Sequence, residues 1–206
     1  MTSLNQNKPD PETAIFPVDS FLNLSRRRYS CRNYDPDRCV PEGAIQNCLE
    51  AARLAPSACN KQPWRFVVVD DPETLAAIRK KGQMPGIDHA WWESVPVMVA
   101  LAVEKNVLTH KIAPAFSKIP YYLLDAGIAG EHFILAAAAQ GLGTCWIGWF
   151  RPKIVKEILD IPRHVDIVAL LTLGYPAPGK VRTKQRRDID EIAFRNKWNN
   201  KGMPPC

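Results

Sequence analysis

The chain lacks an uninterrupted apolar run long enough to cross a bilayer. Its longest apolar region, Tyr121 to Gln140, is broken by Asp125, Glu131 and His132, whereas a bilayer span needs about 18 uncharged apolar residues. No membrane partner is expected. The N-terminus (MTSLNQNKPDPETAIFPVDS) has no basic stretch leading into an apolar one, so no secretory signal is expected and the cytoplasm is the expected location. None of the six cysteines, at positions 31, 39, 48, 59, 145 and 206, forms a CxxC pair, and the histidines at 89, 110, 132 and 164 share no metal-ligand spacing. The thiols read as reduced, with no metal site.

Nucleotide and hydrolase signatures are missing as well. No GxGxxG joins a strand to a helix, no GxxxxGK is followed by Ser or Thr, and no GxSxG elbow occurs. Gly141, Gly143 and Gly148 leave a helix and enter a strand, the reverse of a Rossmann phosphate turn. The basic segments carry no interleaved aromatic residues, so nucleic acid is not the expected partner. No internal repeat is visible. A chain of 206 residues with 46% apolar and 23% charged residues has the make-up of one globular domain, able to bury roughly 70% of its unfolded surface.

Local signals give the elements. Residues 1–19 are polar and Pro-rich and read as a tail or arm; residues 195–206 read as a C-terminal tail. Between them, 20–194 form the folded domain. A short helix is expected from Ser20 to Arg28 with Ser20 as its cap. Pro41 opens a second helix, whose stripe is Ile45, Cys48, Leu49 and Ala52. Arg65 to Asp70 and Pro96 to Val103 are strands with continuous apolar centres, as in a sheet covered on both faces. Asp71-Pro72-Glu73 starts a helix to about Lys81. Tyr121 to Gln140 is the central helix, stopped by Gly141. Gly143 to Ile147 and Asp166 to Gly174 are further strands, with a short helix at Pro152 to Leu159 between them. Residues 104–119, with His110 and Phe116, read as a mobile or substrate-facing segment. Four strands among about six helical segments, not in βαβ order, predict an α+β fold: a mixed, mainly antiparallel sheet wrapped by helices. The helix at 20–28 is expected beside that at 41–53, and the helix at 151–160 beside the central one.

Charge is the clearest chemical signal. The net charge is +6, which favours an anionic ligand. Arg28, Ser30 and Arg32 alternate, and in an extended segment alternate residues share a face. Two guanidinium groups and a hydroxyl can hold a phosphate, or they can form a solvated basic patch at a helix end. Arg182, Lys184 and Arg186 repeat the pattern, again as an anion grip or a solvated run. Asn60 and Gln62 can read a ring with donor and acceptor edges, or bond to their own loop. Trp146, Trp149 and Phe150 surround Gly148. They can be core packing, or Gly148 can offer a backbone N–H to a closely approaching ligand.

In this order and spacing the pieces resemble the nitroreductase family. Arg28-Tyr29-Ser30-Cys31-Arg32-Asn33-Tyr34 is similar to that family's R-x-S-x-R-x-Y/F motif. Ala55 to Phe66 is similar to its A-P-S-x-x-N-x-Q-P-W-x-F loop and strand. Ala136 to Phe150 is similar to its helix–glycine–strand passage, and Leu171 to Pro176 to its last core strand. The resemblance implies an intertwined homodimer with FMN at the interface and NADH or NADPH as electron donor. It implies ping-pong transfer through flavin N5 to a small electron-poor acceptor: a nitroaromatic, a quinone, a flavin or an enone. Flavin-dependent dehalogenation and non-catalytic flavin storage are the alternatives. By position, Arg28, Tyr29, Ser30 and Arg32 hold the FMN phosphate and ribityl chain in one subunit, joined by Lys184 and Arg186. Pro56, Ser57, Ala58 and Asn60 come from the other subunit, and Ile147 and Gly148 lie near N5. No side-chain acid or base is implied. Gln83 is a candidate for reading the pyrimidine edge.

Overall fold

The computed structural model describes residues 16–87, 90–104, 119–179 and 184–200. Four strands form one sheet in the order β1-β2-β4-β3. They are β1 (Trp64–Val69), β2 (Val97–Glu104), β3 (Gly143–Ile147) and β4 (Val165–Gly174). Every pairing among these strands is antiparallel. The mixed character comes from a single parallel bridge, Ser30 to Thr144, at the outer edge of β3. The two central strands are buried along nearly their whole length, which accounts for their unbroken apolar sequences.

Helices cover both faces, and strand alternation decides which residue meets which helix. On one face Met98, Ala100, Ala102 and Leu170 pack with Leu75 and Ile78 of α3 (Pro72–Lys81) and with Val155 of the helix Pro152–Ile158. On the other face Val97, Val99, Leu171 and Leu173 meet Ile45, Cys48 and Ala52 of α2 (Glu42–Arg53) and Phe133 and Ala137 of α4 (Tyr121–Ala139). The helix Pro152–Ile158 is α5. A short α1 (Val18–Arg27) and a one-turn α6 (Ile189–Ile192) lie outside these layers, with no buried residue in either.

Helix ends follow their sequence signals closely. Asp71 caps α3, accepting from the Thr74 N–H at 2.8 Å, with Pro72 in the first turn. Gly141, at φ +77°, stops α4. Its N–H donates to the Ala138 carbonyl and that of Leu142 to the Ala137 carbonyl, at 3.1 and 2.9 Å, so two orphan carbonyls are satisfied in a Schellman turn. Helix packing differs from the sequence expectation. α1 packs on α4 rather than α2, and α5 packs on α3 rather than α4. The physical reason is that α5 covers the sheet face opposite α4, and nearness in sequence does not specify a face. α1 also starts at Val18, behind Pro17, instead of at a Ser20 cap.

By length and composition α4 could cross a membrane, with a mean hydropathy of 1.2 over 18 residues. Here its apolarity has another use: Ala126, Ala129, Phe133, Ile134 and Ala137 are buried within the fold. Leu123, Leu124 and Ile128 remain exposed on its other side. The thiols of Cys31, Cys48 and Cys145 are buried, those of Cys39 and Cys59 exposed, and all five are free.

Tyr34 ties the N-terminal segment to the sheet. Its hydroxyl donates to the Cys31 carbonyl at 3.0 Å and lies 2.5 Å from Thr172 Oγ1, which in turn accepts from the Cys145 N–H at 2.9 Å. Burial drives its pKa far upward, so the proton stays available to the network. Tyr34→Phe leaves buried acceptors unpaired and should lower stability by about 1–3 kcal/mol. Urea denaturation checks this, read against the wild-type midpoint.

Candidate active site

After α1, residues 28–34 run extended along the free edge of β3. The Cys31 N–H donates to the Thr144 carbonyl at 2.8 Å, and Ser30 bridges Thr144. Such close docking requires Gly143: a Cβ there would lie 2.7 Å from Cys31 Cβ and 2.8 Å from its Sγ. The alternation expected from sequence is present. Cys31 and Tyr34 are buried and Tyr29 packs against the same core cluster, whereas Ser30 and Arg32 are exposed and Arg28 half-buried. Of the residues predicted in this segment, Arg28, Ser30 and Arg32 therefore stand together and Tyr29 points with the core.

The C-terminal segment brings more positive charge to this place. Lys184 Nζ donates to the Ser25 carbonyl at 3.3 Å and to the carbonyls of Arg26 and Arg28. All three of its protons thus close the C-terminal end of α1, where a cation suits the helix dipole. Desolvation and the nearby Arg28 and Arg186 charges push the Lys184 pKa down. Arg186 is accordingly part of the same cluster, while Arg182 lies outside the described residues. The ion pairs found among the described residues join Arg53 to Glu50, Arg65 to Glu104, Arg79 to Glu93 and His164 to Glu104. None involves Arg28, Arg32, Lys184 or Arg186. Cys145 lies beneath the cluster. Burial raises the pKa of its thiol, against the pull of Arg32 and Arg28 and a hydrogen bond from Ser30. Glu131 of α4 is close enough to Arg28 to feel its charge, although desolvation pushes its own pKa up.

The loop before β1 lies against the same helix, α4. The Ala58 N–H donates to Asp125 Oδ1 at 2.9 Å, and the Gln62 N–H donates to Ser57 Oγ at 2.9 Å. Gln62 Nε2 donates to the carbonyl and the side-chain oxygen of Asn60, at 3.2 and 3.0 Å. The loop-bonding alternative for these two amides is therefore realised. Cys59, Asn60 and Gln62 all have φ near +50°, a conformation disfavoured by roughly 1–2 kcal/mol for side-chain-bearing residues. Pro56 is exposed and Ser57 and Ala58 half-buried. In one chain, Asp125 and Glu131 separate the loop from the arginine cluster by about 9 Å along the α4 axis.

At the far end of β3, Ile147 is buried and Gly148 exposed, and a Cβ on Gly148 would meet nothing within 4 Å. Trp146 packs its ring on Gly130 of α4, where a Cβ would come within 2.3 Å of it. Phe150 is buried, and Trp149 is 74% exposed. Gln83 pairs through its backbone with Phe150, and the Arg151 N–H donates to the Gly82 carbonyl at 2.7 Å. That places Gln83 beside the end of β3, which its sequence position alone could not show. The expected substrate-facing residues His110 and Phe116 lie outside the described residues.

The nitroreductase family model matches residues 25–175, from the end of α1 through β4 and the residue after it. The chain belongs to the nitroreductase family. A relative named NADH dehydrogenase, from Thermus thermophilus, is 35% identical over 190 residues, covering 80% of this chain and 90% of its own. The solved nitroreductase family protein of Streptococcus pneumoniae is 28% identical with a TM-score of 0.72, over 85% of this chain and all of that one. A solved FMN-dependent nitroreductase from Clostridium difficile is 25% identical with a TM-score of 0.67, over 85% of this chain and 99% of that one. An iodotyrosine deiodinase from Haliscomenobacter hydrossis is 27% identical over 203 residues, covering 87% of this chain and 90% of its own. These likenesses bear out the α+β fold with its antiparallel sheet.

Sequence reading missed Asp125 as anything but a break in an apolar run. The available signal was a lone carboxylate inside an otherwise apolar helix. For the segment along β3, Gly143→Ala forces Cys31 outward and should cost about 1–3 kcal/mol. Gly43→Ala, where a Cβ meets nothing within 4 Å, is the control and should not destabilise. Paired urea melts decide the matter.

Proposed function

We propose that this nitroreductase-family chain is an FMN-dependent oxidoreductase that takes electrons from NADH or NADPH and delivers them to a small electron-poor acceptor. The observation that carries the reading is the cluster of Arg28, Arg32, Lys184 and Arg186, without an ion-pair partner among the described residues, beside a strand that ends at open Gly148. Desolvation first, and then repulsion from Arg28 and Arg186, push the Lys184 pKa down. A phosphate dianion relieves that repulsion and accepts charge-assisted hydrogen bonds. The donor set therefore fits the FMN phosphate.

The placement of these residues supports the following roles. Arg28, Arg32 and Arg186, with the Ser30 hydroxyl, grip the phosphate. Lys184 acts through its charge and by drawing the C-terminal segment onto α1, because its protons are already given to carbonyls. Tyr29 anchors the segment by packing inward and offers its backbone on the ligand side. Ile147 and Gly148 leave room for the isoalloxazine ring and its N5, with Gln83 nearby toward the pyrimidine edge. Pro56, Ser57, Ala58 and Asn60 contact the flavin of a second subunit. When bound, FMN would supply the redox chemistry that moves reducing equivalents from the nicotinamide to an acceptor stacked on its ring, while these residues hold and orient it. Nitroaromatics, quinones, flavins and enones share the planar, electron-poor character such stacking selects. The deiodinase relative favours reductive dehalogenation as the second reading.

A homodimer completes the site. Leu123, Leu124 and Ile128 leave an apolar strip exposed along α4, and a Cβ on Gly127 beside them meets nothing within 4 Å. A strip of this kind on a core helix is the signature of an interface.

The purified protein should be yellow and should bleach on anaerobic addition of NADH or NADPH; a colourless protein that takes up no added FMN overturns the reading, and one that is yellow but does not bleach is a storage protein. Arg28→Ala should weaken FMN binding by about 1.5–3 kcal/mol, measured by flavin fluorescence titration, and wild-type affinity would dismiss the phosphate role. Ile128→Glu should yield monomers by analytical ultracentrifugation that have also lost flavin.

A further inference from the structure

Asp125 is the only buried Asp, Glu, Lys, Arg or His among the described residues, 3% exposed. A carboxyl group removed from water must be compensated by donors, and an apolar residue of similar size would suit the interior of α4 better if nothing depended on its acceptor oxygen. What it holds is specific: the N–H of Ala58, at 2.9 Å, in a loop 67 residues away in sequence. That loop needs holding. Three of its residues, Cys59, Asn60 and Gln62, sit at φ +51°, +52° and +46°, and left-handed backbone at side-chain-bearing residues persists only where surrounding contacts impose it. Its internal bonds, Gln62 to Ser57 and Gln62 to Asn60, fix the loop's shape but attach it to nothing. Asp125 supplies an attachment, and it does so from the helix whose neighbouring Leu124 and Ile128 stay exposed.

We infer that Asp125 is a positioning residue: it clamps the strained 57–62 loop to α4 and so sets the pose in which the loop meets FMN. This inference rests on the reading that Pro56 to Asn60 is a flavin-holding loop. It makes α4 the rigid member through which subunit contact and flavin contact are registered to one another. Asp125 itself touches no cofactor in this account and supplies no proton to the reaction.

Two variants separate clamping from simple burial. Asp125→Ala removes the acceptor; Asp125→Asn keeps an oxygen in the same place without the charge. FMN dissociation constants by fluorescence titration of deflavinated protein, visible circular dichroism of the bound flavin, and apo-protein melting temperatures are the readouts. Asp125→Ala should weaken FMN binding about tenfold or more and alter the flavin dichroism, and Asp125→Asn should restore most of both. Wild-type affinity and dichroism in folded Asp125→Ala, or an Asn variant as impaired as the Ala variant, overturns the inference. If Asp125→Ala does not fold, amide exchange at Ala58 decides: protection in wild type and in Asp125→Asn supports the clamp, and fast exchange in wild type overturns it. Asn60→Ala tells the two levels apart. If Asn60→Ala weakens FMN and Asp125→Ala does not, only the clamp falls; if neither does, the flavin-loop reading falls with it.

Discussion

The site depends on one edge-to-edge contact: an extended segment, residues 28–34, laid along the outer strand of the sheet. Without it β3 would present a free edge, with the hazards that open edges carry. With it, backbone bonding at Cys31 and Thr144 fixes the register, and register decides which side chains face outward. A slip of one residue would turn Arg28, Ser30 and Arg32 into the core and Cys31 out of it. Tyr34, locked between Cys31 and Thr172, guards against that slip. The clustering of cations is thus a consequence of strand geometry, maintained against their mutual repulsion by the bonding of the chain beneath them.

α4 has three tasks on three sides. One side carries Phe133 and Ala137 against the sheet and α2. A second leaves Leu123, Leu124 and Ile128 uncovered. A third holds the Asp125 carboxylate to the loop before β1. A helix with apolar residues all round is expected to be buried on all sides, and the described residues cover only part of it. The small residues help with this crowding. Gly130 admits the Trp146 ring, so the strand next to Gly148 sits close to the helix.

Much of this was legible in the residues. Asp71-Pro72 named the start of α3, Gly141 the end of α4, and the apolar runs of β2 and β4 their burial on both sides, because each signal is local and its physics is complete within a few residues. The alternation at 28–32 was legible for the same reason. The helix partners were not: whether α5 covers one face or the other is settled by the sum of packing across the sheet, which no short window contains. The left-handed backbone at Cys59, Asn60 and Gln62 was likewise hidden, since none of the three is glycine. Asp125 read as a flaw in a hydrophobic stretch because the amide that explains it lies 67 positions earlier. The bonds from Lys184 to the carbonyls of Ser25, Arg26 and Arg28 were hidden too, because they join segments more than 150 positions apart.

The ammonium of Lys184 closes the end of α1 across more than 150 intervening residues. During synthesis the N-terminal helix therefore emerges long before the group that finishes it, and domains complete themselves only as their last contacts leave the ribosome. The strands and α4 can assemble while residues 184 to 186 are still being added, but the grouping of Lys184 with Arg28 cannot. A chain interrupted before residue 184 would therefore keep the strands and α4 while leaving the end of α1 unclosed by Lys184.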